Sequence, residues 1–130
     1  MNTKIVMSAS ALFYFIIGSL LSFLPNEIAT YLTIDDNGIT VLFLQIMSAL
    51  FWGFGILNWM AKGTLIGGIY NRPIALGNLV HFGVGVIALI KFVSNTRIHS
   101  EIIIPLTGVY VIFTMLFAYI FRTHPARSGN

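Results

Sequence analysis

The chain has no cysteine and very little charge. The first absence excludes disulfides, thiolate metal sites and cysteine nucleophiles, and it leaves the redox compartment open. The second is more telling. Only 8% of the 130 residues are charged, against about 25% in an ordinary soluble domain, so the chain cannot clothe a water-facing surface. With 57% of residues hydrophobic, the solvent it calls for is lipid or other apolar surface. The formal charge of +3 is too small and too scattered for a nucleic-acid partner. No internal repeat or low-complexity tract stands out, and one domain, residues 1–130, is enough.

Crossing the hydrocarbon core takes about 20 predominantly apolar residues in a helix. Four segments meet that length: 5–24, ended by Pro25; 39–61, between Asp36 and Lys62; 73–90, between Arg72 and Lys91; and 102–121, between Glu101 and Arg122. The first follows Lys4, as a secretory signal would. It is nonetheless longer than the 7 to 15 residues of a signal core and is followed by no small-x-small cleavage site, so it reads as an uncleaved span. The fold class implied is all-α, an integral membrane bundle of four antiparallel helices.

An even number of spans puts both ends on one side, and Lys and Arg choose the side. Lys4, Lys62, Arg72, Arg122 and Arg127 fall on the side of the ends, while Lys91 and Arg97 fall opposite. This predicts cytoplasmic ends in an inner (plasma) membrane. Glu27, Asp35, Asp36 and Glu101 then all lie outside. Trp59, Tyr70 and Tyr119 suit an interfacial aromatic belt.

The one long connection, PNEIATYLTIDDNGIT (25–40), carries Ile28, Tyr31 and Leu32 at helical spacing. That allows a short surface helix over about 26–33, or an irregular loop. Asp35, Asp36, Asn37 and Gly38 then read as a turn, with Gly38 able to supply a positive φ if one is needed. The inner loop, KGTLIGGIYNR (62–72), is short and Gly-rich and permits a tight hairpin. The tail THPARSGN (123–130) is expected to fray.

Helices in lipid associate through small residues and hydrogen bonds, so those residues mark the inner faces. The stripes are Ser8, Ala11, Phe15, Gly18 and Ser22 on the first span, and Gln45, Ser48, Trp52, Gly55 and Trp59 on the second. On the third they are Asn78, His81, Gly85 and Ala88, with Gly77 beside them, and on the fourth Thr107, Tyr110 and Thr114. Such seams suit a left-handed bundle, and a stripe could equally face a second copy of the chain. Counted inward at about 1.5 Å per residue, Tyr14 or Phe15, Trp52, His81 and Tyr110 come near one level close to the midplane.

Within ALGNLVHFGVG (75–85), His81 is an ionisable residue inside a span, which is by default a functional candidate. Three roles are open to it: a neutral hydrogen-bond partner of Tyr110, Tyr14 or Gln45; a ligand contact; or proton transfer. The candidate ligand-binding set is His81, Asn78, Trp52, Gln45, Tyr110 and Tyr14. Asn78 has the same packing alternative, and the glycines read as helix contact points, because no strand precedes them as in a phosphate loop. No Asp, Glu, Lys or Arg lies in the middle of a span, which disfavours proton-coupled exchangers. A bis-histidine haem would need a second membrane histidine, available only from a dimer, since His99 and His124 lie outside the spans. No metal-ligand cluster or catalytic serine spacing is present, so no cofactor is expected and any enzymatic activity would rest on His81 alone.

The run from Gly18 through Leu24 and Pro25 to Leu32, the second span with QIMSALFWGFGIL (45–57) and the Gly-rich third span resemble the small four-helix integral membrane proteins of the DoxX-like and related uncharacterised bacterial families. The resemblance covers roughly residues 8–92. It implies fold and membrane location and brings no catalytic signature. An arginine expected in those families at the start of the second span is Gln45 here, which sets aside any role resting on that charge.

The sequence therefore reads as a small accessory, scaffold or lipid-binding membrane component. Its partners would be the bilayer and either further copies of itself or a larger membrane complex. The competing reading is a protein that binds a quinone, sterol or other apolar molecule between helices near His81. A channel or carrier for a neutral solute is the weakest of the three, because the polar stripes are thin.

Overall fold

The computed structural model describes residues 2–34, 37–64, 66, 70–96 and 98–123. Its described regular structure is helical: α1 (Thr3–Phe23), α2 (Pro25–Tyr31), α3 (Gly38–Ala61), α4 (Arg72–Asn95) and α5 (Ser100–Arg122). All but α2 are long and apolar enough to cross a membrane. At 21 to 24 residues they measure about 32 to 36 Å, enough for a hydrocarbon core of about 30 Å. The all-α, four-span reading of the sequence holds. The expected turn at Asp35 and Asp36, part of the loop 62–72, Arg97 and the tail after Thr123 lie outside the described residues.

The helix boundaries follow from local chemistry. The Asn2 side chain accepts from Lys4 N at 3.1 Å and opens α1, which stops ahead of Pro25, whose ring excludes the residue before it from helical geometry. Pro25 then takes the first position of α2, where its missing N–H is no loss. Asn37 caps α3, its side-chain oxygen accepting from Ile39 N at 3.1 Å and Thr40 N at 3.0 Å. Gly38 is the first helical residue of α3 and needs no positive φ. The largest boundary difference is in α4, which runs through Lys91 to Asn95. Charge marks where hydrocarbon ends, and a helix can continue into the interface beyond it.

Among the described residues that join α1 to α3, Thr33 is left-handed, with φ 55. The α2 terminus closes with Ile34 N on the Ala29 carbonyl (3.0 Å) and Thr33 N on the Thr30 carbonyl (3.1 Å), the paired bonds of a Schellman ending whose left-handed position usually holds glycine. A β-branched side chain is strained there. Thr33→Gly is therefore expected to stabilise the protein by about 0.5 to 1 kcal/mol, the relief of strain exceeding the extra chain entropy of glycine. Thermal unfolding in detergent checks this; a lower midpoint would mean that the bond from Thr33 Oγ1 to the Leu32 carbonyl (2.7 Å) outweighs the strain.

The chain divides into two units, Met7–Lys62 and Gly63–Asn130 with Met1–Val6. In the first, α1 and α3 run antiparallel, as the pairs Ser10 with Asn58 and Gly18 with Ser48 show, and α2 packs on α3. The buried side of α2 is Pro25 and Ala29, with Ile28 and Leu32 half-buried. Tyr31, counted from the sequence on the apolar face, is exposed. In the second unit α4 and α5 pack antiparallel along their length.

The seams only partly match the expected stripes. Within this unit the buried residues of α1 are Met7, Ser10, Ala11, Tyr14 and Gly18, and Val6 ahead of them is buried too, so the seam is centred one residue before Ser8, Phe15 and Ser22. On α3 they are Leu44, Ser48, Phe51, Gly55, Asn58 and Ala61. Ser48 and Gly55 are as expected, but Gln45, Trp52 and Trp59 are exposed. Large indoles fit poorly in a close helix contact and do well at its edge or at the interface, where Lys62 Nζ sits 2.9 Å from the Trp59 ring centroid. On α4 the buried residues are Ala75, Asn78 and Phe82, while Ala88 is exposed. On α5 they are Tyr110, Phe113, Phe117 and Ile120, an aromatic seam that a search for small and polar residues passes over.

Candidate functional site

Three polar side chains, Ser10, Ser48 and Asn58, join α1 to α3. Ser48 Oγ donates to the Gly18 carbonyl at 2.8 Å, reachable because Gly18 has no side chain; a Cβ there would lie 3.0 Å from Trp52 Cδ1 and 3.3 Å from Phe51 Cβ. Asn58 Nδ2 donates to Ser10 Oγ at 2.9 Å, and Ser10 Oγ donates to the Met7 carbonyl at 3.0 Å. All three residues are buried. Asn58 and its partner Ser10 are polar residues that sequence reasoning missed, and Asn58 is the more instructive. Its signal was present, since Ser48, Phe51, Gly55 and Asn58 follow one another at spacings of 3, 4 and 3, but the indoles drew the stripe one position away.

Tyr14 lies wholly buried in this unit, its ring centroid 5.4 Å from that of Phe54 and 5.9 Å from that of Phe51. Trp52 lies at the edge, its ring 5.2 Å from Phe15, and Phe15 lies over Gly55, where an added Cβ would be 2.7 Å from the ring. Gln45 faces outward. Of the three candidates on this pair, Tyr14 faces the seam, Trp52 flanks it and Gln45 is turned away from it.

His81, Asn78 and Tyr110 belong to the second unit, where the structure joins His81 to Tyr110. The phenol oxygen is 3.3 Å from His81 Nε2, with the direction of donation set by the imidazole tautomer. The two rings are 5.7 Å apart, and the His81 and Phe82 rings stand perpendicular with centroids 5.2 Å apart. Tyr110 is buried and occupies the notch left by Gly85, where any Cβ would collide with Tyr110 Cε1. Asn78 is buried too, its Nδ2 donating to the Ile74 carbonyl of its own helix at 2.9 Å. Thr107 and Thr114 make the same kind of bond, to the Ile103 and Tyr110 carbonyls (2.7 and 2.8 Å), which satisfies hydroxyls in a medium without water. Where α4 begins and α5 ends, Arg72 stacks over the Phe121 ring at 4.7 Å.

Chemically, this arrangement holds helices in register with few polar atoms. The His81–Tyr110 bond should contribute about 0.6 kcal/mol, the usual worth of an interhelical hydrogen bond in lipid. A double-mutant cycle of His81→Gln and Tyr110→Phe should return a coupling of that size in detergent unfolding. A coupling of zero would mean that the contact is incidental.

Comparison of the chain with protein-family models, with curated proteins and with solved structures found no match for it.

Proposed function

We propose that this chain is a multi-pass inner-membrane protein that works as an accessory, scaffold or lipid-binding component, with its ends in the cytoplasm. The observation that carries this reading is how its one intramembrane histidine is used: His81 is tied to Tyr110 across α4 and α5, in the way a joint is made. Support also comes from the outward faces, where Leu12, Ile16, Leu50, Ile87 and Met115 are all more than half exposed. Such faces suit acyl chains or the helices of other proteins. The resemblance to the DoxX-like families points to the same location and fold.

Native mass spectrometry on gently extracted protein tests the role. An accessory component should carry a partner protein or a defined lipid at fixed stoichiometry; a bare monomer in variable bulk lipid would sink the proposal. Orientation follows from the Lys and Arg count: a reporter fused after Asn130 should signal the cytoplasm, and a periplasmic signal would reverse it.

A second reading has one observation in its favour. His81 is only half-buried, so the imidazole that meets Tyr110 also borders the outside of the helix pair, where a quinone, sterol or other apolar molecule with one polar group could reach it. In that case the same spectra should show a stoichiometric small molecule that disappears in His81→Leu.

A further inference from the structure

We propose that the outward face of α3 bearing Gln45 is a contact with a second copy of this chain, in which the two Gln45 amides pair across a two-fold axis along the membrane normal. The inference rests on the membrane reading above and names a partner within it.

Gln45 lies seven residues into a 24-residue span, which places it about 10 Å along the helix from Gly38. Its side chain is exposed and makes no hydrogen bond among the described residues. Asn58, in the last turn of the same helix, and Asn78, at a matching distance into α4, are by contrast buried and bonded. A carboxamide facing hydrocarbon forfeits the hydrogen bonds that water would give it, and lipid tails offer no replacement. A partner must supply both an acceptor and a donor at that depth. A second carboxamide does this, since the group is self-complementary. Copies of one membrane protein insert with one orientation, so a two-fold axis along the normal brings identical residues face to face at the same depth.

The rest of the face is compatible with close approach. Ala49 and Gly53 follow Gln45 at four-residue spacing and are exposed, and a Cβ built at Gly53 meets nothing within 4 Å. Ile56 and Met60 continue the line and are 50% and 76% exposed. The spacing of 4, 4, 3 and 4 is that of a helix-packing seam, yet within its own unit α3 packs through another side, along Ser48, Gly55 and Asn58.

The absence of native cysteine makes the test clean. Gly53→Cys and, on the opposite flank, Phe43→Cys are oxidised in membranes with copper phenanthroline. A covalent dimer should form through position 53 and not through position 43, which is exposed as well. Adding Gln45→Leu, or Gln45→Met as a second apolar variant, should lower the cross-linked yield roughly fivefold, while Gln45→Asn should keep most of it. Unchanged helix content by circular dichroism qualifies each variant. Equal yields at both positions, no dimer at position 53, or a yield indifferent to Gln45→Leu and Gln45→Met would overturn the proposal and leave the face to acyl chains. If a partner protein or lipid is still carried at fixed stoichiometry in that event, the accessory reading stands without the dimer.

Discussion

Phe82→Ala is expected to be among the most damaging single truncations in the α4–α5 pair. Phe82 is fully buried and is the hub of the aromatic cluster, with ring centroids 4.8 Å from Phe113, 5.2 Å from Tyr110 and from His81, and 5.9 Å from Phe117. In a soluble protein such a change loses both transfer free energy and packing. In lipid the transfer contribution nearly vanishes, because hydrocarbon and protein interior are equally apolar, so only packing is lost. A cavity on the order of 100 Å³ at about 24 cal/mol per Å³ gives about 2 kcal/mol, to which the lost edge and stacking contacts add about 1 kcal/mol. Unfolding in mixed detergent should show a deficit near 3 kcal/mol, and one below about 1 kcal/mol would mean that the neighbours collapse into the space. Phe82→Leu, which keeps most of the volume, should recover more than half of the loss.

The second large effect is expected from the smallest change, Gly85→Ala. Two contributions oppose each other. Alanine is the better helix former by about 1 kcal/mol, but its methyl would collide with Tyr110 Cε1. The ring has little room to yield, being buried between His81 and Phe82. Overpacking of this kind costs about 1 to 3 kcal/mol, and a contact this deep belongs at the upper end, so a net destabilisation of about 1 to 2 kcal/mol is expected. Gly108→Ala in α5 isolates the other contribution. A Cβ at Gly108 meets nothing within 4 Å, so that variant should be neutral or up to about 1 kcal/mol more stable. Opposite signs for the two substitutions in one unfolding assay are the prediction; equal signs would show that the Gly85 notch does not hold Tyr110.

Phe82 also shows where sequence reasoning ran out. In lipid the hydrophobicity of a residue says nothing about whether it faces a helix or a tail, so a phenylalanine in a span carries no orientation signal. Polar and small residues do carry one, which is why Ser48, Gly18, Gly55, Asn78 and Tyr110 could be placed on inner faces from the sequence. The same rule misplaced Gln45 and Trp52. An amide or indole can satisfy itself at an interface, at the flank of a seam or against another chain, and composition does not say which. Consecutive residues are 100° apart around a helix, so moving the seam by one position turned Gln45 out and brought Leu44 and Asn58 in. Of the candidate set, the pairing of His81 with Tyr110 was open to inference, because a neutral imidazole and a phenol at corresponding depths on neighbouring helices have few other partners. The Gly85 notch that seats the phenol ring was not, since it depends on how closely two backbones approach.

What the sequence determined by itself is the solvent and the architecture that solvent permits. Scarce charge and four apolar runs of membrane length leave helices as the spanning element, because every backbone amide in hydrocarbon must bond within its own segment, and charge, proline and asparagine set where each helix starts or stops. What only the tertiary structure decided is the rotation of each helix about its own axis. That rotation is set by the fit of side chains into the notches of a neighbour: Phe15 over Gly55, Tyr110 over Gly85, Phe82 between Phe113 and Phe117. Such fits depend on shape at the scale of a methyl group, which no count of apolar residues contains.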